Sequence, residues 1–179
     1  TLLDTPGDQN FFTDTRLCME AADGAVFVVD AVDGVRVQTE QAWAFAEEFN
    51  MPCAIVINRL DRDRSDFQRT MEDIASNLES PKPILLHLPI GELADFKGVV
   101  DLISMKACLF DADGKMTTAD IPADLKDDAE SAREEMIENV AEADDQLIER
   151  YLEGEVLSEE EIRSALRAGT VSRKFAPIL

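Results

Sequence analysis

Ala25-Val26-Phe27-Val28-Val29 and the run from Cys53 to Ile57 are continuous apolar stretches. That pattern predicts parallel strands covered on both faces, because a half-exposed strand would alternate instead. Between them Ala42, Phe45, Ala46 and Phe49 fall on one face of a helix over residues 37–49, which gives a β-α-β unit. Trp43, in the same helix, reads as packing rather than base stacking. Thr1-Leu2-Leu3 reads as a short buried strand ending at Asp4, and a further helix over 65–78 is predicted from Phe67, Met71, Ile74 and Leu78.

The pattern changes at Ser80-Pro81-Lys82-Pro83, where paired prolines disfavour helix and mark a linker. From there residues 84–88, 98–103 and 105–110 read as short strands of a small sheet, followed by a polar turn over 111–115. One long helix is expected over 123–152, with Leu125, Ala129, Ala132, Met136, Val140, Ala143, Leu147 and Tyr151 at helical spacing. Its other face carries Glu134, Glu135, Glu138, Glu142 and Asp145. Ser158 and Glu161 form a capping box opening a last helix that Gly169 is expected to end, and the chain closes on an apolar strand. The expected organisation is an α/β core over 1–80, a small α+β insert over 81–169 and a returning strand of the core over 170–179.

Composition narrows the function. The 179 residues are 45% hydrophobic but only 6% aromatic, so aliphatic side chains must fill the core. No apolar run approaches the roughly 18 residues that span a bilayer, so no membrane role is expected. Cys18, Cys53 and Cys108 are scattered, without metal-ligand spacing, as in a reduced cytoplasmic chain. A net charge of −21 argues against a basic nucleic-acid face, and residues 71–179 hold 25 of the 38 acidic side chains. That acidity is either a solvated helix face or a docking surface for a basic partner. The lone His87 lies in an apolar stretch with no partner motif and reads as structural. Residues 111–114 (Asp-Ala-Asp-Gly) do not make a calcium loop, since Gly114 falls at the fourth position and Pro122 stands where the bidentate acid belongs.

Two short motifs carry the chemistry. Asp4-Thr5-Pro6-Gly7 places a carboxylate where a strand is expected to end, positioned to hold a magnesium ion directly or through water, and Gly7 lets a backbone N–H approach a terminal phosphate. Asn58-Arg59-Leu60-Asp61 ends the second apolar run and offers an amide and a carboxylate to a planar ring. A carboxylate accepting from two adjacent ring N–H groups selects guanine, because adenine would leave it unpaired. Each motif also has a plain reading as a strand-ending turn, and Asp-x-x-Gly recurs at Asp111 to Gly114.

In order and spacing, Leu3 to Gly7, Ala22-Asp23-Gly24-Ala25-Val26, residues 34–40 and Asn58 to Arg62 resemble the elongation factor G family of ribosomal translocation GTPases. The likeness continues through residues 96–107, 120–123 and 151–155, which resemble that family's insert subdomain. The resemblance implies a partial P-loop GTPase domain with a parallel sheet, GTP or GDP with Mg²⁺ as ligands, and the ribosome as partner. Within the ribosome it implies contact with the stalk protein through the acidic insert helix, and contact with ribosomal RNA mainly through domains outside this sequence. It assigns Asp4, Thr5, Pro6, Gly7, Asn58, Arg59 and Asp61 to GTP binding. The family's phosphate loop, Gly-x-x-x-x-Gly-Lys-Ser/Thr, and its first switch are absent here and are expected upstream of Thr1, so the chain is expected to be a fragment with negligible nucleotide affinity alone. Its end resembles the strand before the family's last guanine-contacting loop.

Two positions depart from the family pattern. Asp8 stands where the family has a histidine that positions the attacking water, and an ionised Asp can only accept hydrogen bonds. Three readings are open: a paralogue with altered hydrolysis, a GTP-gated ribosome-binding scaffold without efficient hydrolysis, or a tolerated change in a mobile loop. Arg59 replaces a lysine, and its planar guanidinium stacks well on a purine.

Overall fold

A computed structural model describes residues 1–179 apart from Ala112 and Ala143, with the side chain of Asp145 also left out. It contains two four-stranded sheets, one parallel and one antiparallel. The β-α-β unit forms as the periodicity predicts: β1 (Ala25–Asp30), α2 (Val37–Glu48) and β2 (Cys53–Asn58). β1 and β2 pair in parallel from Ala25 opposite Cys53 to Asp30 opposite Asn58, so their last residues lie side by side. Trp43 is 5% exposed, packs edge-on against Phe27 and donates its indole N–H to the Ser80 carbonyl at 2.8 Å. It is a packing residue. Ahead of β1, α1 (Phe12–Glu20) has no counterpart among the sequence patterns; it docks on α2 through Phe12 against Phe45 and Arg16 over the Phe45 and Phe49 rings.

Two expectations for this sheet fail. On β1 only one face is covered: α2 and α3 (Phe67–Asn77) shield Phe27 and Val29, as they do Ile55 and Ile57 of β2, while Val26 and Val28 on the other face of β1 remain 62% and 61% exposed. A continuous apolar run reports the residue types, not whether something covers them. Residues 1–3 are not a strand either, and Leu2 and Leu3 are exposed. A strand needs a hydrogen-bonded neighbour, and among the described residues none pairs with this segment.

The order of the parallel sheet is β1-β2-β8-β3, with β3 (Lys82–Leu85) and β8 (Phe175–Ile178). Residues 84–88, expected as one strand of the small sheet, split instead. β3 joins the parallel sheet, while β4 (His87–Ile90) opens the antiparallel sheet β4-β5-β6-β7 with β5 (Gly98–Asp101), β6 (Lys106–Phe110) and β7 (Met116–Ala119). Leu86 is the joint. Its N–H donates to the Ile178 carbonyl at 2.9 Å and its carbonyl accepts from Leu102 N–H at 3.0 Å, one bond to each sheet. β5 is shorter than expected because the Asp101 carboxylate accepts from the Ile103 N–H at 2.9 Å and the Ser104 hydroxyl at 2.8 Å, turning the chain. β7 escaped the sequence reading because its residues are mostly exposed and lack alternation.

The long helix over 123–152 is broken into a 3₁₀ turn (Ala123–Leu125), α4 (Lys126–Ala141) and α5 (Asp145–Leu152). Asp144 adopts an extended conformation and accepts from the Gln146 and Leu147 N–H groups, which starts a new helix. Of the expected apolar face, Ala129, Met136 and Val140 are buried in a core that also holds residues of β3, β8, the antiparallel sheet and α6, and Ala143 lies outside the described residues. The Ser158–Glu161 capping box opens α6 (Glu159–Val171) as expected. Gly169 does not end α6. It lies inside the helix, where a Cβ would sit 2.0 Å from the Phe175 ring, so the glycine serves β8 packing.

Candidate nucleotide site

The adjacent tips of β1 and β2 build one side of the site. Asn58 Oδ1 accepts from the Arg59 N–H at 2.8 Å, and Arg59 takes a left-handed φ of 65° that turns the chain sharply off the strand. Its guanidinium reaches across to β1, where Nη1 donates to Asp30 Oδ2 at 2.7 Å. The other Asp30 oxygen accepts from the Val32 N–H at 2.8 Å. Burial alone would raise the Asp30 carboxyl, but the Val32 amide and the Arg59 guanidinium outweigh it and hold it below the usual carboxylate range.

The loop after β1 is stapled in place. Ala31 N–H donates to the Asn58 carbonyl and Gly34 N–H to the Asp30 carbonyl, at 2.9 and 2.8 Å. Gly34 has φ of 71°, a left-handed conformation that favours glycine, and a Cβ there would lie 2.1 Å from an oxygen of the Asp73 carboxylate of α3. Asp66 N–H and the Arg69 guanidinium of α3 bond the Ala31 and Val32 carbonyls, and Arg36 pairs with Asp33.

The other side is the segment Asp4-Thr5-Pro6-Gly7. These four residues, with Asp8, Asp30 and Arg59, line one open groove of about 1710 Å³ that runs between residues 1–8 and the free edge of β1. Asn58 and Asp61 are exposed and are not among its lining residues. Nothing lies within 4 Å of a Cβ built on Gly7, so packing does not require the glycine there. Asp8 caps the first helical turn: its Oδ1 accepts from the Asn10 N–H and side-chain amide at 2.9 and 2.7 Å.

Among the described residues no group of three or more His, Cys, Asp or Glu side chains is placed to hold a metal ion. The exposed Asp4 carboxylate still suits magnesium, which is commonly held by one or two carboxylates together with phosphates and waters. His87 is set apart from the groove. It lies opposite Asp101 on β5, and burial lowers it more than that carboxylate raises it. The sequence reading missed Asp30, although it ends its apolar run as Asn58 ends the next. No helix among the described residues is long and apolar enough to cross a membrane.

Comparison with known proteins agrees with this architecture. Residues 1–172 match the family described as Elongation factor Tu GTP binding domain. Elongation factor G of Thermotoga maritima is 41% identical over 180 residues, and that of Neorickettsia sennetsu 42% identical over 181. Each alignment covers 99% of this chain and 26% of the relative, so the chain spans about a quarter of their length. A crystal structure from Thermus thermophilus superposes with a TM-score of 0.89 at 32% identity, over 99% of this chain and 26% of that one. The adjacent strand tips, the motif order and these matches agree that the chain belongs to the Elongation factor Tu GTP-binding domain family, with elongation factor G as its homologues.

Proposed function

We propose that the chain forms the guanine-recognising part of a GTPase that acts on the ribosome in translocation, as the name of its relatives suggests. The observation that carries the reading is the convergence of Asp4 to Gly7 and Arg59 on one groove beside the Asn58 tip. Asn58 and Asp61 would read the base, Gly7 would approach the terminal phosphate, and Asp4 would hold Mg²⁺, which supplies charge neutralisation at the phosphates. The groove itself is acid-rich, with Asp4, Asp8, Asp23, Asp30 and Asp33 against Arg36 and Arg59. High affinity therefore needs further phosphate-binding groups, consistent with relatives roughly four times longer.

Asp8 supports a finer reading, a paralogue in which hydrolysis is altered. A carboxylate beside the γ-phosphate adds negative charge where the transition state needs it dispersed, and the bonds to Asn10 engage Asp8 as a helix cap. The same observation favours a second reading, a GTP-gated ribosome-binding scaffold. Single-turnover GTP hydrolysis on ribosomes by the whole protein and its Asp8→His variant separates them. Faster turnover by the histidine variant supports a hydrolytic site tuned down by Asp8, and equal measurable rates remove any role for Asp8. No turnover in either protein leaves the scaffold.

The exposed acids Glu134, Glu135 and Glu138 on α4 are the proposed contact for the ribosomal stalk protein. Glu142 is less available, since it pairs with Lys82 at 3.6 Å. Titration of stalk protein against the Glu134→Lys, Glu135→Lys, Glu138→Lys triple variant tests this contact, an unchanged affinity removing it.

A further inference from the structure

The Arg59–Asp30 pair joins the residue after Asn58 to the tip of the neighbouring strand. Asp30 is held at both carboxylate oxygens, one by the Val32 amide and the other by the guanidinium at 2.7 Å. Its side chain is 22% exposed, whereas that of Arg59 is 60% exposed, so the acid is the anchored partner and the arginine the tethered one. Both line the groove. An unpaired arginine samples many rotamers, and ordering it on a ligand costs entropy.

We propose that Asp30 is a positioning residue that holds the Arg59 guanidinium plane ready to cover the face of the bound purine. This deepens the guanine-site reading above and rests on it. The plane contacts the ring face, so it acts on any purine of similar shape. Asp61 reads the ring edge, so it acts on guanine in particular. The two roles separate experimentally through inosine, which keeps the face of guanine but lacks its exocyclic amine.

The test is calorimetric titration of the whole protein with GDP and with IDP. Asp30→Asn keeps an oxygen for the Val32 amide and removes the charge that holds Arg59. It should weaken both nucleotides by the same factor, roughly two- to fivefold, the scale of an exposed cation–π contact. On an Arg59→Ala background the same change should cost nothing further, and Asp30→Glu should restore part of the loss. Arg59→Lys, which keeps the charge but not the plane, should also weaken both nucleotides equally. Asp61→Asn serves as the reference, since it should narrow the preference for GDP over IDP. If GDP does not bind, or Asp61→Asn leaves that preference intact, the guanine-site reading falls and this proposal with it. If that reference behaves as expected but Asp30→Asn has no effect, acts equally without Arg59, or changes the GDP to IDP ratio, only the positioning role is overturned.

Discussion

Gly169→Ala probes the packing that seats β8 in the parallel sheet. In an exposed helix interior this change stabilises by about 1 kcal/mol, because alanine loses less backbone entropy. Here the new methyl would lie 2.0 Å from Phe175 Cζ and 2.3 Å from Cε1, against about 3.5–4.0 Å for a favourable carbon contact. Phe175 is 2% exposed and packed among β3, α4 and α6, so its ring cannot move aside without displacing its neighbours. Overpacking of this kind typically costs about 1–3 kcal/mol, and the near-complete overlap puts the cost at or above the upper end. Net destabilisation of at least about 2 kcal/mol is expected after the helix gain is subtracted. In a chain of this size about 2 kcal/mol lowers Tm by about 4–8 °C. Urea unfolding followed by far-UV circular dichroism measures it, with Phe175→Leu as the partner in a double-mutant cycle. The smaller side chain should remove most of the penalty from Gly169→Ala, giving a clear coupling energy. A Gly169→Ala variant as stable as the parent, or a cycle with no coupling, would refute the steric account.

Asp144→Ala removes the side chain that caps α5 and should cost about 1 kcal/mol in urea unfolding, while Asp144→Asn and Asp144→Ser should retain most of the stability. His87 should make folding pH-dependent near neutrality: burial depresses its folded pKa below 6.5, so the unfolded chain takes up the proton first as pH falls. Stability is therefore full above that value and declines as pH drops below it toward the folded pKa, and His87→Gln should flatten this slope in unfolding measurements between pH 5 and 8. The Cys53 thiol is pushed up to about 11 by burial and donates to the Met51 carbonyl, so at pH 8 alkylation followed by mass spectrometry should mark Cys18 and Cys108 well before Cys53.

The elements that were legible in the sequence are those whose signal is local. β1, α2, β2 and α3 follow from runs and periodicities of side chains that the fold buries on at least one face, and the Ser158–Glu161 box is readable because its two residues satisfy each other. The failures share a cause. Periodicity continues smoothly from Val140 to Leu147, yet one carboxylate, Asp144, competes for the backbone and starts a new helix. Gly169 has the composition of a terminator, but its reason lies in Phe175 on another element. Residues 84–88 look like one apolar strand because nothing local records that Leu86 must bond to both sheets. In the candidate site, motif spacing singled out Asn58 and Arg59, while the partner of Arg59 came from register: Asp30 is 29 residues upstream and becomes its neighbour only when β1 and β2 align.

That dependence on register extends to the whole site. β2 is held on one side by β1, which is close in sequence, and on the other by β8, which arrives only after the chain has passed through the antiparallel sheet and α4 to α6. The contact between β2 and β8 is short: Ile55 pairs with Ile178, flanked by bonds from Ile57 N–H to the Leu179 carbonyl and from Leu179 N–H to the Ile55 carbonyl. Closing so long a loop is entropically costly, and β8 itself is seated by Phe175 against α6 and by Ile178 against Leu86. The second neighbour of the strand that ends in Asn58 thus comes from Phe175–Ile178, which follows the antiparallel sheet and α4 to α6 in the chain. The geometry of the Asn58 tip is in this way tied to β8 and to the residues that seat it.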